Sequence, residues 1–385
     1  MDNRMWMDHL RHWQDFLNIR YAQVNDNGEK AKIVRQLRAI EDAKYAAVLN
    51  PELMIEFIRP KRAPVSPNKE IEYVLNLNDS QKRAVSIALG DNVLSLIQGP
   101  PGTGKTQVIA EICLQLYQMN PDIHILVCSE THIAVNNLIS RIAEYNETIR
   151  IARIRDKEHD TASDMYSPES IVKAYSKWLY ENLENIELAE LIINSLAKPE
   201  NKSLEKALAQ SASITGMTCN RLGAYNLDAE SEMFDVVIID EVCKATLPEI
   251  LMPLAVAKKA ILVGDPKQLP PVFCSEEVDV IRSIDRCSLQ NYMYIDHLFE
   301  NSKCVTVLDT QYRMAERIGN MVSDLFYNKQ LINGTPDHNK GQLIWYDYNP
   351  SNEWPIMSQE EEFLQIYNLD ECQMVVSCCK KLTAD

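Results

Sequence analysis

Two stretches of this chain carry residue types suited to phosphate chemistry. The first is Gln98-Gly99-Pro100-Pro101-Gly102-Thr103-Gly104-Lys105-Thr106, which follows an apolar run (Leu94 to Ile97) and precedes a helical pattern (Gln107 to Leu116). Strand, Gly-rich loop and helix in that order are the context in which G-x-x-x-x-G-K-T cradles a phosphate chain. Gly102 and Gly104 admit backbone conformations closed to bulkier residues, so the loop can curl around an anion. Loop N–H groups and the helix N-terminus then face it. Gly99, Pro100, Gly102, Thr103 and Gly104 are thus expected to line the phosphates of ATP. Lys105 is expected to reach the β- and γ-phosphates, and the Thr106 hydroxyl to bind Mg²⁺.

The second stretch is Phe234-Asp235-Val236-Val237-Ile238-Ile239-Asp240-Glu241. A buried strand ending in adjacent carboxylates points them differently, because side chains alternate along it. Asp240 is assigned to Mg²⁺, through water, and Glu241 to activating or orienting the attacking water. A further strand end, Ala260 to Asp265, leads into Pro266-Lys267-Gln268-Leu269-Pro270-Pro271. Ligands of open α/β sheets sit beyond the carboxyl ends of the strands, so these polar strand ends converge on one site. Gln268 is placed there to sense a γ-phosphate or its water.

The elements needed to position these residues read as an α/β succession with a parallel sheet. Further strands are expected at His124 to Ser129, Ile149 to Ile154 and Ser213 to Thr218, with a helix from Ile133. Asn78 or Asp79 caps a helix running through Leu89, which places Gln81 in its first turn. Residues 160–210 read as an inserted helical subdomain with an inner stripe of Val172, Tyr175, Leu179, Leu183 and Ile186. Residues 1–75 read as an amino-terminal helical accessory region set apart from the core. Its stripes are Trp6, Leu10, Trp13 and Leu17, then Ile33, Leu37 and Ile40, and the tryptophans pack the helices onto the core. The connector from Arg59 to Pro67 reads as a solvated linker.

Composition bounds the function classes. The 385 residues suffice for two or three structural units, and the apolar runs are too short to span a bilayer. The start of the chain is polar, so neither a membrane span nor a secretory leader is indicated. The ten cysteines form no C-x-x-C pair, which favours buried reduced thiols in a cytoplasmic protein over a zinc site. A formal charge of −16 argues against bulk attraction to nucleic acid but permits a local basic groove.

Gln98 to Thr106, Asp240-Glu241, Val263 to Pro271 (V-G-D-P-K-Q-L-P-P) and Gln311-Tyr312-Arg313-Met314 occur in that order. Together they resemble a superfamily 1 helicase of the Upf-like branch, over about residues 76–335. The resemblance implies a first RecA-like ATPase domain across those residues and the start of a second over 336–385. It implies that Gln81 reads adenine, Tyr312 stacks on the base, and Arg313 contacts the γ-phosphate as an arginine finger. It also implies that Gln268 couples that phosphate to a track for single-stranded RNA or DNA. Ser129 and Thr131 fall where the family's strand-contacting motif lies, and Thr218 where a threonine meets the backbone; hydroxyls can position phosphates without reading sequence.

Departures accompany the resemblance. Asp240-Glu241 is followed by Val242-Cys243-Lys244, where the family usually has small or polar residues. Ala315-Glu316 follows Met314 where His-Pro is common, and His132 replaces a frequent asparagine. A first strand (Leu343 to Tyr348) and a first helix (Glu371 to Leu382) of a second RecA-like lobe are expected, but no later Q-G-x-E element occurs. The polypeptide alone is therefore expected to turn over ATP weakly or not at all, and to need a second lobe or a partner protein. An ATP-dependent switch in a multiprotein complex, or a scaffold holding ATP without hydrolysis, are the alternative readings.

Overall fold

The computed structural model describes residues 3–60, 70–146, 148–154, 165–182, 211–224, 234–284, 292–301 and 304–335, isolated positions between 187 and 194, and the stretches 356–358, 365–367 and 375–377. Residues Met1–Asp337 form one compact unit and His338–Asp385 another.

A seven-stranded parallel sheet organises the first unit. Its strands are β1 (Leu94–Gln98), β2 (Ile125–Ser129), β3 (Ile151–Arg153), β4 (Ile214–Thr218), β5 (Phe234–Ile239), β6 (Ala257–Gly264) and β7 (Val305–Val307), in the spatial order β3-β4-β2-β5-β6-β1-β7. Every residue of β2 and of β4 is buried, as expected of strands covered on both faces. Register carries the chemistry-bearing ends to one level: Gln98 of β1 pairs with Gly264 of β6, and Ile239 of β5 with Leu262 of β6.

Alternation along the strands divides the core into two layers. Ile97, Val127, Ile238 and Val263 face α4 (Asp79–Leu89), α5 (Lys105–Met119) and α6 (His132–Ala143), meeting Val85, Ile109, Ile112, Val135 and Leu138. Leu96, Leu126, Val237 and Leu262 face the other way, into a cluster with α1 (Asn3–Gln23), α2 (Asn27–Tyr45) and α3 (Pro51–Ile58). The amino-terminal helices therefore belong to the core of the first unit, where sequence reading set them apart. Asp26 caps α2 by accepting from Glu29 N–H at 2.7 Å, and Asn50 caps α3 ahead of Pro51. Trp13 lies fully buried among Phe16, Phe273 and Tyr292, its ring centroid 5.1 Å from that of Tyr292. Edge-to-face geometry of this kind adds about 0.5–1.5 kcal/mol per pair beyond area burial.

Further helices are α7 (Pro168–Asn182), α8 (Cys219–Ala224), α9 (Leu247–Ala255), α10 (Ser275–Ile284), α11 (Tyr294–Asn301) and α12 (Glu316–Phe326). On α7, Val172 is half-buried and Tyr175 exposed, so the expected inner stripe is not an inward face there. The side chain of Leu179, residues Leu183 and Ile186, and most of the expected insertion lie outside the described residues, as do positions 61–69 of the connector. A short parallel pair, β8 (Thr310–Gln311) with β9 (Ile332–Asn333), stands beside the main sheet. In the second unit, β10 (Ile356–Ser358) pairs antiparallel with β11 (Gln365–Tyr367), and residues 375–377 are helical. The strand expected at Leu343 to Tyr348 lies outside the described residues. Among the described residues no helix is long and apolar enough to cross a membrane.

Candidate active site

The loop between β1 and α5 closes on itself. Gly102 (φ 78°) and Gly104 (φ 81°) are both left-handed, the conformations for which glycine is needed. A Cβ on Gly102 would lie 2.6 Å from that of Arg313, and one on Gly104 2.6 Å from Gln81 Nε2, so the glycines also permit close approach of two neighbours. Thr103 Oγ1 donates to the Pro100 carbonyl at 2.7 Å, and Gly99 N–H donates to the Gly264 carbonyl at 2.9 Å, tying the loop to β6. Lys105 curls back over the loop, with Nζ donating to the Gly99 carbonyl at 2.9 Å. Thr106, next on α5, is half-buried.

The two carboxylates stand beside that lysine. Asp240, at the end of β5, is 5% exposed. Burial and then the charge of Glu241 push its carboxyl up to about 6, against the pull of Lys105. A carboxylate whose bare charge is this costly, at the mouth of a phosphate loop, suits a hard cation bound by oxygen. Glu241 adopts a left-handed backbone (φ 53°, ψ 36°), with its N–H donating to Asp240 Oδ1 at 2.9 Å. That conformation costs a non-glycine residue about 1–2 kcal/mol and turns its side chain away from the strand direction. Glu241 Oε1 lies 3.5 Å from Lys105 Nζ, and Oε2 lies 3.1 Å from Lys244 Nζ. Burial raises its carboxyl pKa, but the two lysines more than offset this and hold it below its ordinary value.

The loop after β6 is organised by Asp265, which is buried. Its Oδ1 accepts from Gln98 Nε2 (3.3 Å) and Lys267 N–H (3.2 Å), and its Oδ2 from Gln268 Nε2 (2.9 Å) and the Tyr327 hydroxyl (2.6 Å). Gln268 is thereby held at the same sheet edge as the loop. Burial and the Asp265 carboxylate both push the Tyr327 phenol upward, keeping it a donor. Gln311 is fully buried and shapes the turn that follows it. Its Oε1 accepts from Arg313 N–H (2.9 Å) and Met314 N–H (2.7 Å), while Nε2 donates to the Met314 carbonyl (2.9 Å) and Asn333 Oδ1 (2.7 Å). Tyr312 N–H donates to the Gly102 carbonyl at 2.9 Å, docking this turn on the phosphate loop and bringing Arg313 against Gly102.

Gln81 also touches the loop. Its Nε2 donates to the Thr103 carbonyl at 2.9 Å and its Oε1 accepts from Asn78 N–H at 2.9 Å, which completes a capping box on α4. Both groups offered for adenine are thus engaged by the protein itself. Tyr312 is 44% exposed and its hydroxyl accepts from Asn78 Nδ2 at 2.9 Å. Sequence reading missed the supporting roles of Asn78, Gln311, Asp265 and Tyr327; membership of the Q-Y-R-M and G-D-P-K-Q elements was the signal for two of them.

The residues assigned to a nucleic-acid strand stand farther along the sheet edge. Ser129 and Thr218 are paired across β2 and β4. The Ser129 hydroxyl is buried without a hydrogen-bond partner, while Thr218 Oγ1 accepts from Arg221 N–H at 3.3 Å. Thr131 caps α6, accepting from Ala134 N–H at 3.3 Å. In place of the frequent asparagine, His132 faces the Arg153 guanidinium, with Nδ1 and Nη2 3.0 Å apart.

Comparison with known proteins places this geometry in a family. Two family models described as AAA domain match, the first over residues 76–182 and 176–276, the second over residues 289–385. The DNA polymerase alpha-associated DNA helicase A of Saccharomyces cerevisiae is 32% identical over 322 residues, covering 71% of this chain and 47% of that protein. The ATP-dependent helicase NAM7 of the same yeast is 30% identical over 279 residues, covering 70% of this chain and 27% of that protein. Among solved structures, the PRRSV helicase aligns with a TM-score of 0.34 at 14% identity, covering 66% of this chain and 37% of that one. The chain thus spans less than half the length of these curated relatives. Family models that together match residues 76–276 and 289–385, and helicases 30–32% identical across 70–71% of the chain, lead to one assignment: the chain belongs to the Upf-like branch of the superfamily 1 helicases.

Proposed function

We propose that this chain is the ATP-binding and hydrolysing part of a motor that moves along, or remodels, single-stranded RNA or DNA. The observation that carries the reading is Glu241, held in a left-handed backbone with its carboxylate 3.5 Å from the phosphate-loop lysine and next to buried Asp240. The names of the relatives, a DNA helicase and an ATP-dependent helicase, support the substrate class.

In this reading Gly99 to Thr106 hold the triphosphate, Asp240 and Thr106 hold Mg²⁺, and Arg313 stabilises charge on the transferring phosphoryl group. Bound magnesium would supply neutralisation of the phosphate oxygens. Glu241 orients and deprotonates the attacking water, and Gln268, fixed by Asp265, follows the state of the γ-phosphate. Tyr312 offers an exposed ring to the base. Exposed Thr131 touches the strand's backbone, while Ser129 and Thr218, 1% and 4% exposed, support that edge from beneath. A second RecA-like lobe, from this polypeptide or a partner, closes the nucleotide cleft. Free buried thiols at Cys113, Cys128, Cys219 and Cys243 support a cytoplasmic setting.

The test is magnesium-dependent ATP turnover with and without single-stranded RNA or DNA, beside Glu241→Gln. Strand-stimulated turnover that the variant loses, with nucleotide binding kept, is the expected result. Undiminished turnover in the variant would remove Glu241 from the role, and absence of nucleotide binding by the parent protein would end the reading.

A further inference from the structure

The turn that follows Asp240-Glu241 folds back on itself. Lys244 N–H donates to the Glu241 carbonyl at 2.9 Å and Ala245 N–H to the Val242 carbonyl at 3.2 Å, closing one 3₁₀ turn directly after the left-handed Glu241. A residue three positions on is eclipsed with the first in such a turn, so Lys244 returns beside Glu241. The two oxygens of one carboxylate are consequently held by two different lysines, Lys105 on Oε1 and Lys244 on Oε2. A carboxylate with a cation on each oxygen is a weaker base, and the two lysines compete with a water for its remaining lone pairs. Lys105 is drawn off by a phosphate chain in the proposed function; Lys244 is not.

Lys244 has a second acidic neighbour. With Glu130, Lys32 and Glu249 it lines a cavity of about 250 Å³ between the catalytic turn and helices α1 and α2. Glu249 is already saturated: Oε1 meets Lys32 Nζ (3.1 Å) and Asn220 Nδ2 (2.8 Å), and Oε2 meets the N–H and hydroxyl of Thr246 (2.9 and 2.8 Å). Glu130 lies within the electrostatic reach of both Lys32 and Lys244. It is exposed and directly precedes Thr131, the exposed residue proposed to meet the strand.

We propose that Lys244 is a positioning residue that exchanges between two carboxylates: on Glu241 it restrains the base, and on Glu130 it releases it. Strand binding beside Glu130 selects the second pairing, so the lysine couples the strand track to the hydrolytic site. The proposal rests on the function proposed above. Linkage makes it reciprocal: the factor by which the Lys244–Glu241 pair weakens strand binding equals the factor by which the bound strand weakens the pair.

A double-mutant cycle read by binding tests this without nucleotide or metal. The affinity of the full protein for a fluorescent single-stranded oligonucleotide is measured by anisotropy for the parent, Glu241→Gln, Lys244→Met and the double variant. Glu241→Gln is expected to tighten binding about two- to fivefold, the range of a partly exposed ion pair, and to have no effect in the Lys244→Met background. The same tightening in both backgrounds would be a through-space effect of one removed negative charge, and would overturn the exchange. No tightening in either would overturn it equally. As a second readout, Lys244→Met is expected to raise strand-free kcat while leaving nucleotide KM unchanged and lowering the ratio of stimulated to basal turnover, with Lys244→Arg restoring the parent values. Equal loss of kcat with and without strand would show mere structural support and refute the proposal. A parent protein that binds no oligonucleotide would sink the proposed function itself, whereas a parent that binds and hydrolyses with a flat cycle would sink only the exchange.

Discussion

Replacing Glu111 with Ala would unpin the segment that delivers Gln81 to the phosphate loop. Glu111 lies on α5 and is fully buried. Its Oε1 accepts from Val74 N–H (3.0 Å) and Gln115 Nε2 (2.8 Å), and its Oε2 from Leu75 N–H (2.8 Å). Gln107 and Gln115, one turn to either side, add bonds to the Asn76 and Glu72 carbonyls at 2.9 and 2.6 Å. The helix that begins at the phosphate loop therefore holds an irregular strand along its flank. Hydrogen bonds to a charged acceptor contribute about 1.5–3 kcal/mol each. Val74 is exposed and its N–H recovers water, whereas Leu75 is buried and its N–H is left unpaired. The expected cost of Glu111→Ala is thus about 2–4 kcal/mol, with Glu111→Gln losing about half, because one amide oxygen still accepts. Urea unfolding of the first unit, followed by tryptophan fluorescence, reads this directly. A loss below about 1 kcal/mol for the alanine variant, the size of an ordinary surface change, would refute the reasoning.

Other outcomes follow from the same geometry. Lys105→Ala is expected to weaken nucleotide binding by about 1.5–3 kcal/mol, read by titration with a fluorescent ATP analogue; unchanged affinity would remove the lysine from the phosphate site. Trp13→Ala, deleting a fully buried indole that α1 packs against Phe273 and Tyr292, is expected to cost about 3–5 kcal/mol in unfolding free energy, and a cost near zero would mean that the helical layer does not share the core. Lys259 is held down to about 8 by burial, against the pull of Asp91. The unfolded chain then binds more protons than the folded one, so stability is expected to rise as pH increases from about 8 through the unfolded lysine range. Lys259→Met should flatten that rise in urea midpoints taken across the window; an unaltered slope would assign it to another group.

The phosphate loop and the Asp-Glu strand end were legible because their chemistry demands particular residue types at short spacing, next to strands that read as unbroken apolar runs; the Gln-Tyr-Arg-Met turn was legible only through its resemblance to the family. The alternation of strands and helices and the helix cap at Asn78 come from equally local rules. What sequence reading missed is the pairing of polar groups brought together only by topology. Tyr327 reaches Asp265, Asn78 reaches Tyr312, and Glu111 reaches Leu75, and in each case neither side chain signals its partner. Gln81 shows the difference well: its place in the first turn of a capped helix was legible, whereas the bond from its amide to the Thr103 carbonyl was not. The amino-terminal helices were recognisable as amphipathic. That their apolar stripes meet Leu96 and Leu262 across the sheet is a long-range fact that helical periodicity does not encode.

The place of β1 in the sheet has a consequence for how the protein is made. Its neighbours are β6 and β7, and Gln98 bonds to Asp265 across 167 residues of sequence. Gly99 likewise donates to Gly264, so the loop's first residue waits for a carbonyl synthesised far later. Long loops must close before such contacts return free energy, which makes them late events in folding. On the ribosome, the glycines and lysine of the loop emerge early yet have no wall to lean on until β6 has left the exit tunnel. A nascent chain halted before that point should be unable to retain ATP, and the span between the two strands is the window in which chaperones would find it open.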